Sequence, residues 1–131
     1  MENLDDLFSE IKLIIEKHSK GLITKTGTYN SQAKQKKPGY HLYGSKDVSL
    51  FGKKPQKTYI GGVIQQKNYV SFYLMPIYSH PELTENIPLE LKKDLKGKSC
   101  FNIKKPTLET LKHVEAILLK GIKKYEAENW I

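Results

Sequence analysis

Apolar residues in the first part of the chain recur every three or four positions, which is the period of an amphipathic helix. Asn3 or Asp5 is the predicted N-cap, because a short polar side chain can accept a hydrogen bond from a free amide of the first turn. Asp6 and Glu10 fall on the opposite, solvated side, and Gly21 is a suitable residue beyond the helix end. The stripe consists of Leu4, Leu7, Phe8, Ile11, Ile14 and Ile15, and it ends at His18.

The middle of the chain changes to the alternation that is typical of strands. Residues 58–65 and 69–75 are rich in β-branched and aromatic side chains, and the short segment 66–68 between them predicts a hairpin. Gly61 and Gly62 are unusual inside a strand, because glycine weakens strands. This pair predicts a bulge, or a close approach by another chain segment or a ligand.

The second strand of this hairpin has two different faces. One face carries apolar side chains and is the predicted core face, comprising Val70, Phe72 and Leu74. The other face carries larger side chains with polar tips together with one methionine, namely Tyr69, Ser71, Tyr73 and Met75. The hairpin is therefore predicted to contribute one buried face and one partly polar face to a sheet.

Further elements are predicted on either side of the hairpin. Short strands are expected within residues 22–29, 40–44 and 99–104, and an exposed loop at 30–39. A short helix is predicted from Pro88 through Leu95. A last helix begins after Pro106, where Thr107 is a simple cap because the capping-box glutamate is missing at Thr110. Its predicted apolar stripe is Leu108, Leu111, Leu118, Ile122 and Tyr125 with Glu115, widened by Val114, Ile117 and Gly121.

These elements predict one α+β domain over residues 1–131. Its antiparallel sheet of about five strands packs against the N- and C-terminal helices, which leaves the reverse side of the sheet partly polar. The single cysteine, Cys100, fits a reducing compartment, and the acidic start of the chain lacks the pattern of a secretion signal. No apolar run reaches the roughly 20 residues that span a bilayer. We therefore expect a cytoplasmic protein with no membrane contact.

The chain has a formal net charge of +8, and each of its 22 basic residues is a lysine. Arginine supplies the bidentate fork that reads guanine, whereas lysine supplies a point charge. Sequence-specific nucleic-acid recognition is therefore not expected. Weak contact with a polyanion stays open, with high lysine content for solubility as the alternative explanation.

Enzymatic motifs are not evident in the sequence. Gly97-Lys98-Ser99 resembles the end of a phosphate loop, but that motif needs a glycine where this chain has Lys92. Cys100 has no histidine at a spacing that would make it a nucleophile, and it is interpreted as a small buried residue. The four histidines show no metal-ligand spacing.

Several segments together resemble the YdhG-like family, also called domain of unknown function 1801. The resemblance covers residues 58–125 and is carried by 67–76, by Pro81-Glu82-Leu83 and by 91–102, which contains Gly97-Lys98-Ser99-Cys100-Phe101-Asn102. Residues 19–57 match less well, and their role stays open. The resemblance implies helices packed on an antiparallel sheet, and little chemistry.

One branch of that family has been described as a frataxin-like iron chaperone, which uses an acidic ridge on the first helix. In this chain Asp6 and Glu10 lie one helical turn apart and are the candidate metal ligands, because hard cations favour clustered oxygens. The alternative is a solvated acidic face. No other cofactor is expected.

The polar face of the hairpin, close to the segment 97–102, is the strongest candidate for a binding site. Tyrosine presents a flat apolar ring with a polar tip and is common at binding surfaces. The alternative is ordinary cross-strand packing. We expect a non-enzymatic module that binds a small molecule, a protein or a second copy of itself, with iron binding or weak polyanion contact as alternatives. The candidate ligand-binding residues are Tyr69, Ser71, Tyr73, Lys98, Ser99 and Asn102.

Overall fold

The computed structural model describes residues 3–27, 38–50 and 52–131. The predicted loop at 30–39 therefore lies mostly outside the described residues. The helices are α1 (Leu4–Lys17), α2 (Pro76–Ser79), α3 (Leu89–Lys92) and α4 (Leu108–Ala127), with a 3-10 helix at Pro81–Asn86. The strands are β1 (Ile23–Thr26), β2 (Gly39–Val48), β3 (Gln56–Gln65), β4 (Val70–Leu74), β5 (Leu95–Lys96) and β6 (Cys100–Ile103).

The strands form one sheet in the order β1-β2-β3-β4-β6-β5, and each neighbouring pair is antiparallel. The predicted α+β class is confirmed, with six strands where about five were expected. The additional strand is β5. The predicted short helix from Pro88 through Leu95 is wrong in its second half, because α3 ends at Lys92 and Leu95 lies in β5. Gly97 adopts a positive φ of 68°, which lets the chain turn back and pair β5 with β6.

The first helix forms as the sequence predicts. Asn3 is the N-cap, and its side-chain oxygen accepts a hydrogen bond from the Asp6 amide at 2.8 Å. Leu7, Ile11 and Ile15 are fully buried and form the stripe that packs on the sheet. The helix ends at Lys17, before the chain turns through Gly21 into β1.

The last helix differs from the prediction in its cap and in its buried side. Thr107 and Thr110 form a reciprocal capping box: the Thr110 amide donates to Thr107 Oγ1 at 3.3 Å, and the Thr107 amide donates to Thr110 Oγ1 at 3.0 Å. A threonine hydroxyl thus replaces the expected glutamate. Leu108 is 71% exposed, so its place in the apolar stripe is wrong. The buried side comprises Thr110, Val114, Ile117, Leu118, Gly121, Ile122 and Tyr125.

The core lies between these two helices and one face of the sheet. Val63, Phe72 and Phe101 are fully buried in neighbouring strands, and the rings of Phe72 and Phe101 stack with their centroids 6.0 Å apart. Within the described part of the chain, no helix has the length and apolar character needed to cross a membrane.

The glycine pair in β3 lies at a bulge and at close contacts. Leu42 pairs with Gly61 while Tyr43 pairs with Tyr59, so β3 contains one residue more than β2 at this point. A Cβ at Gly61 would collide with the Tyr73 carbonyl, and a Cβ at Gly62 would collide with the His41 ring. The predicted bulge is confirmed, and the segments that approach closely belong to the chain itself.

Candidate functional site

The face of the sheet opposite the helices, called here the polar sheet face, is formed by the side chains that alternate with the core residues. The strand register places His41, Gly62, Tyr73 and Cys100 in one row across four strands. Ser71 and Asn102 are direct partners in the next row. Strand geometry therefore brings together residues that are distant in sequence.

Four of these residues, Ser71, Tyr73, Cys100 and Asn102, form a connected group that we call the Ser71–Asn102 cluster. The Ser71 hydroxyl donates to Asn102 Oδ1 at 2.9 Å, and the Cys100 thiol donates to the same oxygen at 3.2 Å. Tyr73 is the register partner of Cys100, and its hydroxyl interacts electrostatically with the Cys100 and Ser71 side chains. Ser71 is only 1% exposed, so its hydroxyl depends on these partners.

The amide of Asn102 has a defined orientation, because two donors converge on its oxygen. Its NH₂ group makes no hydrogen bond to any residue within 3–27, 38–50 or 52–131. Asn102 is only partly buried, and among the described residues the one buried side-chain polar atom without a partner is Thr58 Oγ1, so the unpaired NH₂ group of Asn102 is accessible. The cluster therefore presents two N–H donors to a molecule that carries a hydrogen-bond acceptor.

The ionisable members of the cluster are held in their neutral forms. Burial, followed by the neighbouring Cys100, raises the pKa of the Tyr73 hydroxyl. Burial also raises the pKa of the Cys100 thiol, although hydrogen bonds with Tyr73 and Ser71 oppose the shift. A thiol with a raised pKa is a poor nucleophile near neutral pH. The interpretation of Cys100 as a small buried residue is only partly correct, because the structure leaves Cys100 partly exposed.

The other candidate residues lie around the cluster. Lys98 is exposed in the turn between β5 and β6, with its Nζ 5.7 Å from the centre of the Tyr78 ring. Ser99 follows in the same turn, and its carbonyl accepts a hydrogen bond from the Leu74 amide at 2.8 Å. Tyr69 immediately precedes β4 and is partly buried. The structure thus brings Ser71, Tyr73 and Asn102 together and places Lys98 and Ser99 at one end of their strands.

A second polar group on this face, formed by His41 and Tyr59, was not predicted from the sequence. His41 Nδ1 lies 2.9 Å from the Tyr59 hydroxyl, and its Nε2 lies 3.0 Å from the Gly27 carbonyl. A neutral ring satisfies both contacts when Tyr59 donates to Nδ1 and Nε2–H donates to Gly27. Burial lowers the pKa of His41, and the Gly27 hydrogen bond partly opposes this. The sequence contains one indication of this group: His41 stands between two apolar residues, Tyr40 and Leu42. In the sheet this segment pairs with Gly61 and Gly62.

The candidate metal ligands Asp6 and Glu10 are exposed on successive turns of α1. In the described ranges, no three histidine, cysteine, aspartate or glutamate side chains lie together in a way that could hold a metal ion. Iron binding by this helix therefore stays a prediction.

Comparison with known proteins gives no family assignment. The chain matches no protein-family model, no curated protein and no solved structure at the significance required. The resemblance to the YdhG-like family therefore stays a prediction that depends on the motifs.

Proposed function

We propose that this chain is a non-enzymatic binding module that holds a small ligand on its polar sheet face. The observation that carries the proposal is the Asn102 amide, whose oxygen is fixed by Ser71 and Cys100 while its NH₂ group faces accessible space. A pre-oriented donor loses little conformational freedom when it binds a ligand. The neutral Tyr73 hydroxyl beside it adds a second polar group.

The charges on this face favour a ligand with an anionic or carbonyl acceptor. Lys96 is the register partner of Cys100 and therefore lies on the same face. Lys25 lies over the ring of Tyr43, with its Nζ 5.0 Å from the ring centre. Lys96 is cationic, so it attracts a carboxylate or phosphate group near β6 and disfavours a cationic ligand there, whereas Lys25 lies on β1, four strand spacings away. The tyrosine rings offer apolar surface for the rest of such a molecule.

The proposed site also coincides with the segments that carry the family resemblance. Residues 67–76 include β4, which supplies Ser71 and Tyr73, and residues 97–102 include the part of β6 that supplies Cys100 and Asn102. We propose on this basis that the chain is YdhG-like and that such domains bind their ligands at these two strands. Iron binding through Asp6 and Glu10 and weak polyanion contact gain no comparable support from a specific contact.

Replacement of Asn102 by aspartate tests the proposal. In Asn102→Asp the carboxylate still accepts from Ser71 and Cys100, but an anionic oxygen replaces the outward NH₂ group. Amide chemical shifts of the wild type are expected to move in β4 and β6 when small carboxylates and phosphate esters are added. The variant is expected to bind the same compounds at least about tenfold more weakly, since a donor is lost and a charge repels the ligand.

Asn86→Asp is the matched control, because Asn86 is exposed in the 3-10 helix and the substitution changes the net charge equally. This control is expected to bind like the wild type. Equal binding by Asn102→Asp and wild type would refute the proposed site. Broad line loss across the polar sheet face with a doubled molecular mass would instead indicate a second copy of the chain as the occupant.

A further inference from the structure

A cleft of about 440 Å³ lies on the helix side of the sheet, away from the polar sheet face. It is bounded by the end of α1, the turn into β1 and the second half of α4. Leu119, Ile122 and Ile131 contribute apolar surface, whereas Lys20 and Glu126 contribute charges of opposite sign. Clefts of this size hold small molecules in many proteins.

Two walls of the cleft are fixed by contacts outside it. His18 lines the cleft, and its Nε2 lies 2.7 Å from Glu115 Oε2 on α4. The hydrogen bond with His18, followed by that with Lys17, lowers the pKa of Glu115, so this carboxylate stays ionised. Ile131 packs directly over Gly44, where a Cβ would collide with it. Contacts within the protein therefore hold these two walls in place, which reduces the cost of binding.

Two charged side chains that line the cleft, Lys20 and Glu126, suggest what it could bind. Lys17 Nζ and His18 Nε2 both contact Glu115 Oε2, at 3.3 and 2.7 Å. Lys20 and Glu126 also line the cleft, but they form no ion pair with each other or with another described residue. A positive and a negative group thus line the same cleft beside its apolar wall.

We infer that this cleft binds a small zwitterion with an aliphatic body, such as an α-amino acid of the leucine type. Lys20 pairs with the carboxylate of the ligand, Glu126 pairs with its ammonium group, and the aliphatic part packs on Leu119 and Ile122. Opposite charges across an interface select the partner and its orientation. This site is independent of the proposed function of the polar sheet face.

Titration of ¹⁵N-labelled protein with leucine tests the inference, with the amides of Gly21 and Leu22 as reporters. Three analogues act as ligand controls: 4-methylpentanoate lacks the ammonium group, isoamylamine lacks the carboxylate, and glycine lacks the aliphatic body. Leucine is expected to give saturable shifts. Each singly charged analogue is expected to bind about two- to fivefold more weakly, and glycine about tenfold or more weakly.

Protein variants separate the charges from the apolar wall. Lys20→Gln and Glu126→Gln are each expected to reduce the affinity for leucine to that of the matching analogue for the wild type. Leu119→Trp fills the cleft and is expected to abolish the shifts, whereas Leu108→Trp, at another exposed leucine of α4, leaves them unchanged. Equal affinity for leucine and 4-methylpentanoate, or no saturable shift at Gly21 and Leu22, would overturn the inference. Because the reporters lie far from β6 in the fold, neither result bears on Asn102.

Discussion

His41 is a titratable residue kept neutral within the sheet. It is 1% exposed, and both ring nitrogens have partners, Tyr59 on one side and the Gly27 carbonyl on the other. Its ring fits only because Gly62 has no side chain. Adding a proton to Nδ1 would remove the acceptor that the Tyr59 hydroxyl uses, and it would place a charge in a poorly solvated position.

The free energy of unfolding is therefore expected to decrease as the pH falls below 6.5. An unfolded histidine binds its proton near pH 6.5, whereas the folded pKa of His41 is lowered by burial. The stabilisation is thus present above pH 6.5 and is lost as the pH falls towards the folded pKa. Urea unfolding of the wild type and His41→Gln between about pH 5 and 8 measures the effect.

The free energy of unfolding of His41→Gln should lack the decrease below pH 6.5 that His41 causes. His113→Gln, a substitution at a less buried position, should retain this decrease. Direct NMR titration of the His41 ring provides a second measurement that does not require the variant to fold. A ring pKa above 6.5 in the native protein would contradict the argument.

Sequence reasoning at this scale succeeded where strand alternation alone sets the outcome. Ser71 and Tyr73 had to share a face, and the short segment 97–102 was expected nearby. The convergence of Ser71 and Cys100 on one oxygen of Asn102 depends on the register between β4 and β6, which no local pattern specifies. The contact of His41 with Tyr59 depends further on the bulge in β3.

The two long helices show how far periodicity determines an element. The apolar stripe of α1 was predicted correctly, because this helix has more apolar residues on that face than on any other face. In α4 the residues assigned to the margin, Val114, Ile117 and Gly121, are buried, whereas Leu108 is exposed. Leucine at the first turn of a helix can face solvent where no neighbouring element covers it, and only tertiary structure decides this.

The beginning of α4 depends on the capping box, and its loss should be measurable. Thr107→Ala removes the acceptor for the Thr110 amide and a hydroxyl that also bonds to Glu90. The free energy of unfolding is expected to decrease by about 1 kcal/mol. Thermal or urea denaturation compares this variant with Ser45→Ala, an exposed position of β2 that should cost little. A Thr107→Ala protein as stable as the wild type would show that the cap contributes nothing.

At the scale of the whole molecule, both long helices and one sheet face share a single core. The antiparallel sheet with terminal helices on one side was predicted, since an alternating apolar face must be covered by amphipathic helices. The edge strand β5 was missed because two residues carry no periodic signal. A four-residue helix and a two-residue strand can be distinguished only when their hydrogen-bonding partners are known.

A shared core predicts cooperative unfolding, for which Trp130 is a convenient reporter. It is the single tryptophan of the chain, and its ring centroid lies 5.1 Å from that of Tyr125 and 5.4 Å from that of His80. Its fluorescence reports the C-terminal end, whereas far-UV circular dichroism reports all elements. The two urea transitions are expected to coincide. An earlier fluorescence transition would show that the C-terminal end detaches before the sheet unfolds.

The two outermost strands have a consequence for self-association. β1 has four residues and includes the exposed Lys25, while β5 has two residues and includes the exposed Lys96. Short edge strands offer few unpaired backbone groups with which a strand of another chain could pair. The charge of their lysines also repels a second copy of the same strand. Fibril growth by strand addition is therefore disfavoured at both borders.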